Sequence, residues 1–309
     1  MAQSFRISSI GERELIRRVA RWAGGGGSVI KGSGDDCAVL KGTGRRHILF
    51  ASDMLVERVH FTSGADPSAV GWKALAVNIS DVAAMGGVPR YAVVSLGLSP
   101  RTPLSFAKGF YRGFLRCGHR FGVRLVGGDT GRSQRIVIDV AILGEAEKSD
   151  LVYRSGARPG DQLFVTGRLG GSFKSGRHLT FTPRLKEARA LTGLWKLNAM
   201  MDLSDGLKTD LDRLCEASGV GARIYAAQIP VHKGCSIAQA LNDGEDFELL
   251  IAVSGRQAPG LLKWAGRRLR CGLTRIGEII PHRKGSRVRL VAPDGKERPL
   301  PAGGFEHFA

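Results

Sequence analysis

The sequence predicts a two-domain, mixed α+β (α/β) protein. Three observations carry that expectation. Strand-like and helix-like segments alternate through the first half, the chain changes character near Ser149, and strands and helices then resume in the second half. A chain of 309 residues has room for two domains of ordinary size. Its 43% hydrophobic and 24% charged residues match a globular protein rather than a disordered one.

The elements follow in order. Ser9-Ile10-Gly11-Glu12 fits a capping box, and Leu15, Ile16 and Val19 come next at helical spacing. His47 to Ala51 is an apolar run ending at Ser52-Asp53. Asp66-Pro67 opens a helix, with Asp as N-cap and Pro in the first turn. That helix runs through Trp72, Leu75, Ala76 and Ile79 and stops near Gly86-Gly87. Tyr91 to Leu98 reads as a buried strand and Pro103 to Phe121 as a helix. Val123 to Val126 is a strand leading into Gly127-Gly128-Asp129, and Ile136 to Leu143 is another, polar at Asp139.

The boundary is placed at Ser149, giving domains 1–149 and 150–309. Arg158-Pro159-Gly160-Asp161 is a turn before the strand Gln162 to Val165. Pro183 to Leu194 is helical, Ala199 to Leu203 is an apolar strand, and Leu207 to Ala217 is an amphipathic helix. Arg223 to Ala227, Phe247 to Val253 and Thr274 to Ile280 are strand-like, with a helix from Ala258 to Arg270. No short-period repeat is present.

Composition excludes several functional classes. No apolar run approaches a membrane span. Arg6, Glu12, Arg13 and Glu14 fall where a secretory signal needs an apolar stretch, and the glutamates also argue against a transit peptide. Cys37, Cys117, Cys215, Cys235 and Cys271 are odd in number and contain no C-x-x-C, so a disulfide framework or zinc site is not expected and a reducing cytoplasm is. The net charge of +18 invites a nucleic-acid reading. However, the cations are dispersed, and the densest pieces, Arg267-Arg268-Leu269-Arg270 and His282-Arg283-Lys284, lack the interleaved aromatics used for base stacking. A solvated basic face is the expectation.

The chemistry is concentrated in six short acidic segments: Gly34-Asp35-Asp36, Ser52-Asp53, Ser80-Asp81, Gly127-Gly128-Asp129-Thr130, Asp202-Leu203-Ser204-Asp205-Gly206 and Gly244-Glu245-Asp246. They read as turns. Small neighbours allow close approach of a ligand, and Mg²⁺ takes oxygen donors between a few carboxylates and substrate phosphates. Any one such segment is adequately explained as a cap; six together point to a multi-metal phosphate site. No G-x-x-x-x-G-K-[ST] loop and no G-x-G-x-x-G in a strand–turn–helix frame is present, so metals must offset phosphate charge. Gly24-Gly25-Gly26-Gly27 fits either a phosphate-binding backbone or a flexible connector. From spacing alone, a lone His such as His60 is more often structural than catalytic, and Arg154, near the boundary, is placed to reach a phosphate bidentately or not.

At these residues the chain resembles the thiamine-monophosphate kinases, of the superfamily that includes aminoimidazole ribonucleotide synthetase and selenophosphate synthetase. The matching segments are Gly34 to Leu40, Ser52 to Phe61, Lys73 to Gly86, Gly127 to Thr130, Arg154 to Asp161, Met201 to Leu207, Gly244 to Leu250 and Gly304 to Phe308, in that order over nearly the whole chain. The resemblance implies a synthetase-like fold. Its N-terminal ATP- and metal-binding domain would also form a homodimer interface, and its C-terminal α+β domain would complete the site. It implies in-line transfer of the ATP γ-phosphoryl group to thiamine monophosphate, without a phospho-enzyme. Carried over by position, Asp36, Asp53, Asp81, Asp129, Asp202 and Asp205 would hold several Mg²⁺ ions, with Ser52 assisting. Gly128, Asp129, Arg154 and Ser204 would contact ATP, and His60, Glu245 and Phe305 the thiamine substrate. The acceptor phosphate is already anionic, so positioning and charge neutralisation suffice.

The pattern departs from the family in three places. Ala51 stands where Ser or Thr is usual, Phe305 replaces Tyr or Trp, and the stretch from Gly170 to Leu194 is short on the acceptor side. A superfamily member with another phosphorylated acceptor is the nearest alternative. A selenophosphate synthetase would want a reactive Cys before Cys37, and a hydrogenase-maturation relative a C-terminal Cys where this sequence reads His307-Phe308-Ala309. A basic nucleic-acid binder on a retired enzyme scaffold would have lost the carboxylates, which are all present.

Overall fold

The structure is a computed structural model that describes residues 7–282 and 284–300. Phe305, assigned above to the acceptor, lies outside the described residues. A 3-10 turn, Ile7–Ser9, precedes helix α1 (Gly11–Ala23). The N-cap is Ile10, one residue later than the Ser9 expected from the sequence, and it makes no side-chain cap bond. Gly11 takes φ 72°, which delays the helix by a residue. The run Gly24–Gly27 is an exposed connector from α1 to the first strand.

The first sheet contains β1 (Val29–Lys31), β2 (Ala38–Lys41), β3 (Arg46–Val56), β4 (Val88–Leu98), β5 (Arg124–Arg132) and β6 (Val137–Glu147), in the order β1-β2-β3-β6-β4-β5. Only the β4–β5 pair is parallel. Helix α2 (Pro67–Ala84) begins as expected: Asp66 accepts from the Ser68 and Ala69 amides. It is buried on nearly every side, because it packs against β3, β4, β6 and helix α3 (Leu104–Phe121) and also reaches the second half. The α2–α3 crossing depends on two glycines. A Cβ on Gly71 would lie 1.9 Å from the Phe110 carbonyl oxygen, and one on Gly113 1.8 Å from that of Ser68.

The second half contains β7 (Gln162–Thr166), α4 (Ser172–Ser175), α5 (Leu185–Leu194), β8 (Ala199–Asp202), α6 (Leu207–Ser218), β9 (Gly221–Tyr225), α7 (Ile237–Asn242), β10 (Leu249–Val253), α8 (Ala258–Arg268), β11 (Leu273–Ile280), β12 (Val288–Val291) and β13 (Glu297–Pro299). Its sheet order is β13-β12-β9-β11-β7-β10-β8. The period of two along its central strands divides two cores. Phe164, Met200, Leu249, Ile251 and Val253 join the core around α2, whereas Leu163, Val165, Ala199, Met201, Leu250 and Ala252 face a second core with α6 and α7.

Three of the acidic segments are not turns. Ser52-Asp53 lies within β3, Ser80-Asp81 within α2, and Gly127–Thr130 within β5. Tyr91 to Leu98 is not a fully buried strand either: Tyr91, Val93 and Ser95 point outward, because only one face of the first sheet meets α2. All five cysteines are free. Cys37 is buried, which pushes its thiol well above the ordinary range and makes it inert packing.

Candidate active site

A cleft of about 1120 Å³ runs between the two halves. One end is acidic. The helical position of Asp81 on α2, the loop before β2 that carries Asp36, and the end of β8 at Asp202 bring three carboxylates together, with one oxygen of each within 4.8 Å of the others. Burial pushes Asp81 and Asp202 well above the ordinary carboxylate range, and the neighbouring acids add to the shift. Ser80 donates to Asp202 Oδ2 at 2.5 Å, which fixes that carboxylate.

Asp53 adjoins the trio. Burial holds its pKa at about 6, against a lowering hydrogen bond with Asp81. Arg154 covers the trio from the domain junction. Its Nε donates to Asp36 Oδ1 at 3.0 Å, its Nη2 reaches the same oxygen, and its backbone amide donates to Asp35 Oδ1 at 3.0 Å. Burial opposes the guanidinium charge, but Asp36 and Asp35 hold it protonated above its ordinary value. Asp36 still carries a raised pKa, because burial outweighs Arg154. Its Oδ2 is buried with no hydrogen-bond partner, as is Oδ2 of Asp35. Crowded carboxylates with orphaned oxygens are the donor set of a hard cation.

Asp205 sits at the mouth of α6. Arg213 bridges it to Asp210, whose Oδ2 accepts from the Asp205 amide at 3.0 Å. Ser204 and Asp205 both line the cleft. The turn holding Glu245 packs directly on this one. Gly244, at φ 68°, leaves no room for a Cβ, which would stand 2.6 Å from the Ser204 carbonyl oxygen.

The other end of the cleft is mixed in character and lined by Val59, His60, Lys73, Val77, Phe173, Glu245 and Phe247. Lys73 is fully buried. Its Nζ donates to the His60 carbonyl oxygen at 2.8 Å and lies 2.6 Å from Glu245 Oε2 and 3.1 Å from His178 Nδ1. Burial lowers the Lys73 pKa against the pull of Glu245, and burial raises that of Glu245 against the pull of Lys73. His60 Nδ1 accepts from the Val56 amide at 2.9 Å. Asp53 acts on the charge of both Asp81 and Lys73, so it joins the two ends.

The fold therefore brings together Asp36, Asp53, Asp81, Asp202, Asp205, Arg154, Ser204, His60 and Glu245. It does not bring Asp129 or Gly128 to the cleft, whereas Ser52 lines the cleft with its hydroxyl committed to Asp139. Alternation on β3 turns Ser52 away from Asp53, and its Oγ donates to Asp139 at 2.8 Å. Asp129 pairs in register with Ser95, which pairs with Asp139, so all three share the outward face of the sheet. Gly128 and Asp129 are exposed on β5 and do not line the cleft. Sequence reasoning gave no role to Lys73, Phe173, Phe247, Asp210 or Arg213. Lys73 stands inside a matched block, and a lone Lys within an apolar helix is the signal that marks it.

Comparison with known proteins is consistent with this geometry. Residues 34–146 match the family described as AIR synthase related protein, N-terminal domain, and residues 158–289 its C-terminal domain. The chain belongs to the AIR synthase related family. Within it, the chain is 34% identical to the thiamine-monophosphate kinase of Bacillus subtilis (strain 168), over 91% of this chain and 94% of that protein. It is 33% identical to the thiamine-monophosphate kinase of Escherichia coli (strain K12), over 90% and 92%. A solved structure of AaThiL complexed with AMPPCP and TMP superposes with a TM-score of 0.84 at 32% identity, covering 99% of this chain and 100% of that one. A HypE chain in a HypE–HypF complex is similar at 21% identity and TM-score 0.74, which shows the shared fold alone.

Proposed function

We propose that this chain transfers the γ-phosphoryl group of ATP to the phosphate of thiamine monophosphate, giving thiamine diphosphate and ADP. An acceptor phosphate oxygen forms the new P–O bond in line as the bond from the γ-phosphorus to the β–γ bridging oxygen breaks, and ADP leaves with that oxygen. The single observation that carries the reading is the Asp36–Asp81–Asp202 trio, with Asp36 and Asp202 buried and Asp81 half-buried, in a cleft large enough for both substrates. Kinase relatives aligned over nine-tenths of the chain, and a related structure with an ATP analogue and TMP, support the choice of substrates.

Mg²⁺ fits this site, held by Asp36, Asp81 and Asp202 with Asp53 and Asp205 adjoining. When bound it would supply neutralisation of the phosphate charge. The chain's own groups do the rest. Arg154 and Ser204 border the nucleotide end, and Arg154 is placed to exchange part of its hold on Asp36 for a phosphate oxygen. His60 and Glu245 border the acceptor end. No side chain needs to act as a strong base, because the attacking oxygen is already anionic.

The division at 149/150 falls between the two sheets and gives each half part of the site. The outward face of the first sheet exposes Phe50, Met54, Tyr91, Val93 and Val126. An apolar face of this kind fits a second copy of the chain. Phe50, Ser52 and Met54 line the cleft as well, so that copy would border the active site, and Asp129 and Gly128 would join the metal and nucleotide machinery across such a dimer. Five free cysteines fit a cytoplasmic setting; among the described residues no helix is long and apolar enough to cross a membrane.

The test is a Mg²⁺-dependent assay with ATP, offering thiamine monophosphate beside unphosphorylated thiamine and other phosphomonoesters. Thiamine diphosphate formation selective for the monophosphate is the expected result. Equal or greater turnover with a different phosphorylated acceptor would overturn the assignment.

A further inference from the structure

The acceptor end of the cleft has an aromatic wall that no comparison assigns. Phe173, on the short helix α4, is 40% exposed and lines the cleft. Behind it stands His178, stacked on the Phe173 ring with centroids 4.4 Å apart and planes at 22°. His178 is itself buried, and Lys73 Nζ lies 3.1 Å from its Nδ1. An ammonium only donates, so Nδ1 is the acceptor and the imidazole is neutral, with its proton on Nε2. The same Lys73 is anchored by the His60 carbonyl oxygen and by Glu245. One face of Phe173 is therefore held by a buried stack, and the ring borders a cavity whose other walls include Val59, Val77 and Phe247. Phe247 is likewise backed by a stack, on Phe181 at 4.2 Å.

Large exposed aromatics held rigid from behind are unusual on a surface that binds nothing, because the apolar face stays in water while its rotamers are frozen. Here the ring lines the same cleft as the half-buried Glu245, whose carboxylate is paired with Lys73. A flat, cationic heteroaromatic group is the ligand this wall suits: it stacks on the ring face and is drawn to the ring quadrupole. Thiamine monophosphate carries such groups, with its phosphate free to reach the acidic end.

We propose that Phe173 is a specificity-determining residue that stacks on a heteroaromatic ring of the acceptor, with His178 and Lys73 as positioning residues behind it. This rests on the reading of the cleft as an acceptor site. It also gives the short Gly170–Leu194 stretch a role, because that segment delivers both Phe173 and His178 to the cleft.

The test compares wild type with Phe173→Ala, Phe173→Leu and Phe173→Tyr. Steady-state kinetics are read with ATP and thiamine monophosphate, and calorimetry reads thiamine monophosphate binding in the presence of Mg²⁺ and a non-hydrolysable ATP analogue. Phe173 is partly exposed on a four-residue helix, so the folded state survives its truncation, which unchanged thermal melting confirms. The expected result is a rise of about tenfold in KM and Kd for thiamine monophosphate in Phe173→Ala, with kcat and the KM for ATP near wild type. Phe173→Leu falls between, and Phe173→Tyr restores affinity. Unchanged acceptor affinity in Phe173→Ala, or a parallel loss of ATP affinity, overturns the inference while wild-type turnover leaves the kinase reading intact. Wild type that neither binds nor phosphorylates thiamine monophosphate overturns both.

Discussion

A carboxylate inside a buried helix is costly unless something offsets its charge. Asp81 is in that position on α2, with Asp36 and Asp202 against it. Among the described residues, Arg154 is the cation ion-paired with the trio, and it is committed to Asp36. Replacing Arg154 by Met leaves Asp36 buried and unpaired. We expect a loss of about 3–5 kcal/mol in stability of the metal-free protein, recovered in part by Mg²⁺, which chemical denaturation with and without the ion measures. Most of these residues were legible in the sequence because the acids recur in short segments that also carry Gly or Ser. Ser52 and Asp129 were legible as chemistry but not as place. Alternation along a strand sends neighbouring side chains to opposite faces, and that depends on where the strand runs. Lys73 was not legible as a site residue, since its partners His60, His178 and Glu245 are distant in sequence.

At the scale of elements, α2 determines the site. It carries Lys73, Ser80 and Asp81 on a rigid rod fixed between the two sheets. Its approach to α3 tolerates no side chain at Gly71 or Gly113. The Gly113→Ala variant should force the two helices apart at a cost of roughly 1–3 kcal/mol, read from a shifted denaturation midpoint. The same displacement should reduce turnover by moving Asp81; a stable variant with full activity would contradict that link. The helix was clear in the sequence from Asp66-Pro67 and its apolar run. The acidic segments misled by looking like turns: three of them lie within regular structure instead, in β3, α2 and β5. Strands β1, β2, β12 and β13 escaped notice because they are three or four residues long.

At the scale of the whole molecule, the cleft stores repulsion between acids. Burial pushes the pKa of Asp35 and of Asp53 up from an ordinary 3.8 to about 6. The folded chain then holds protons that the unfolded chain has released, so metal-free stability falls as pH rises through that window. Mg²⁺ needs the ionised form, so its stabilising effect should grow over the same range. Thermal melts at about pH 5 and about pH 8, with and without Mg²⁺, check this: a larger metal-induced shift at the higher pH is expected. The two-domain architecture was readable from alternation and from the change near Ser149. The sharing of one core by α2 and both sheets was not, because contacts between distant strands leave no local pattern.

The most direct test of the central claim, that the Asp36–Asp81–Asp202 trio is the metal-dependent phosphoryl-transfer centre, is single-turnover formation of thiamine diphosphate across a Mg²⁺ titration. Wild type is run beside Asp81→Asn and Asp202→Asn, each shown to be folded by its melt. Loss of turnover by at least about a hundredfold in both variants, with ATP and Mg²⁺ required by wild type, is the predicted result. Near-wild-type turnover in either folded variant would contradict it.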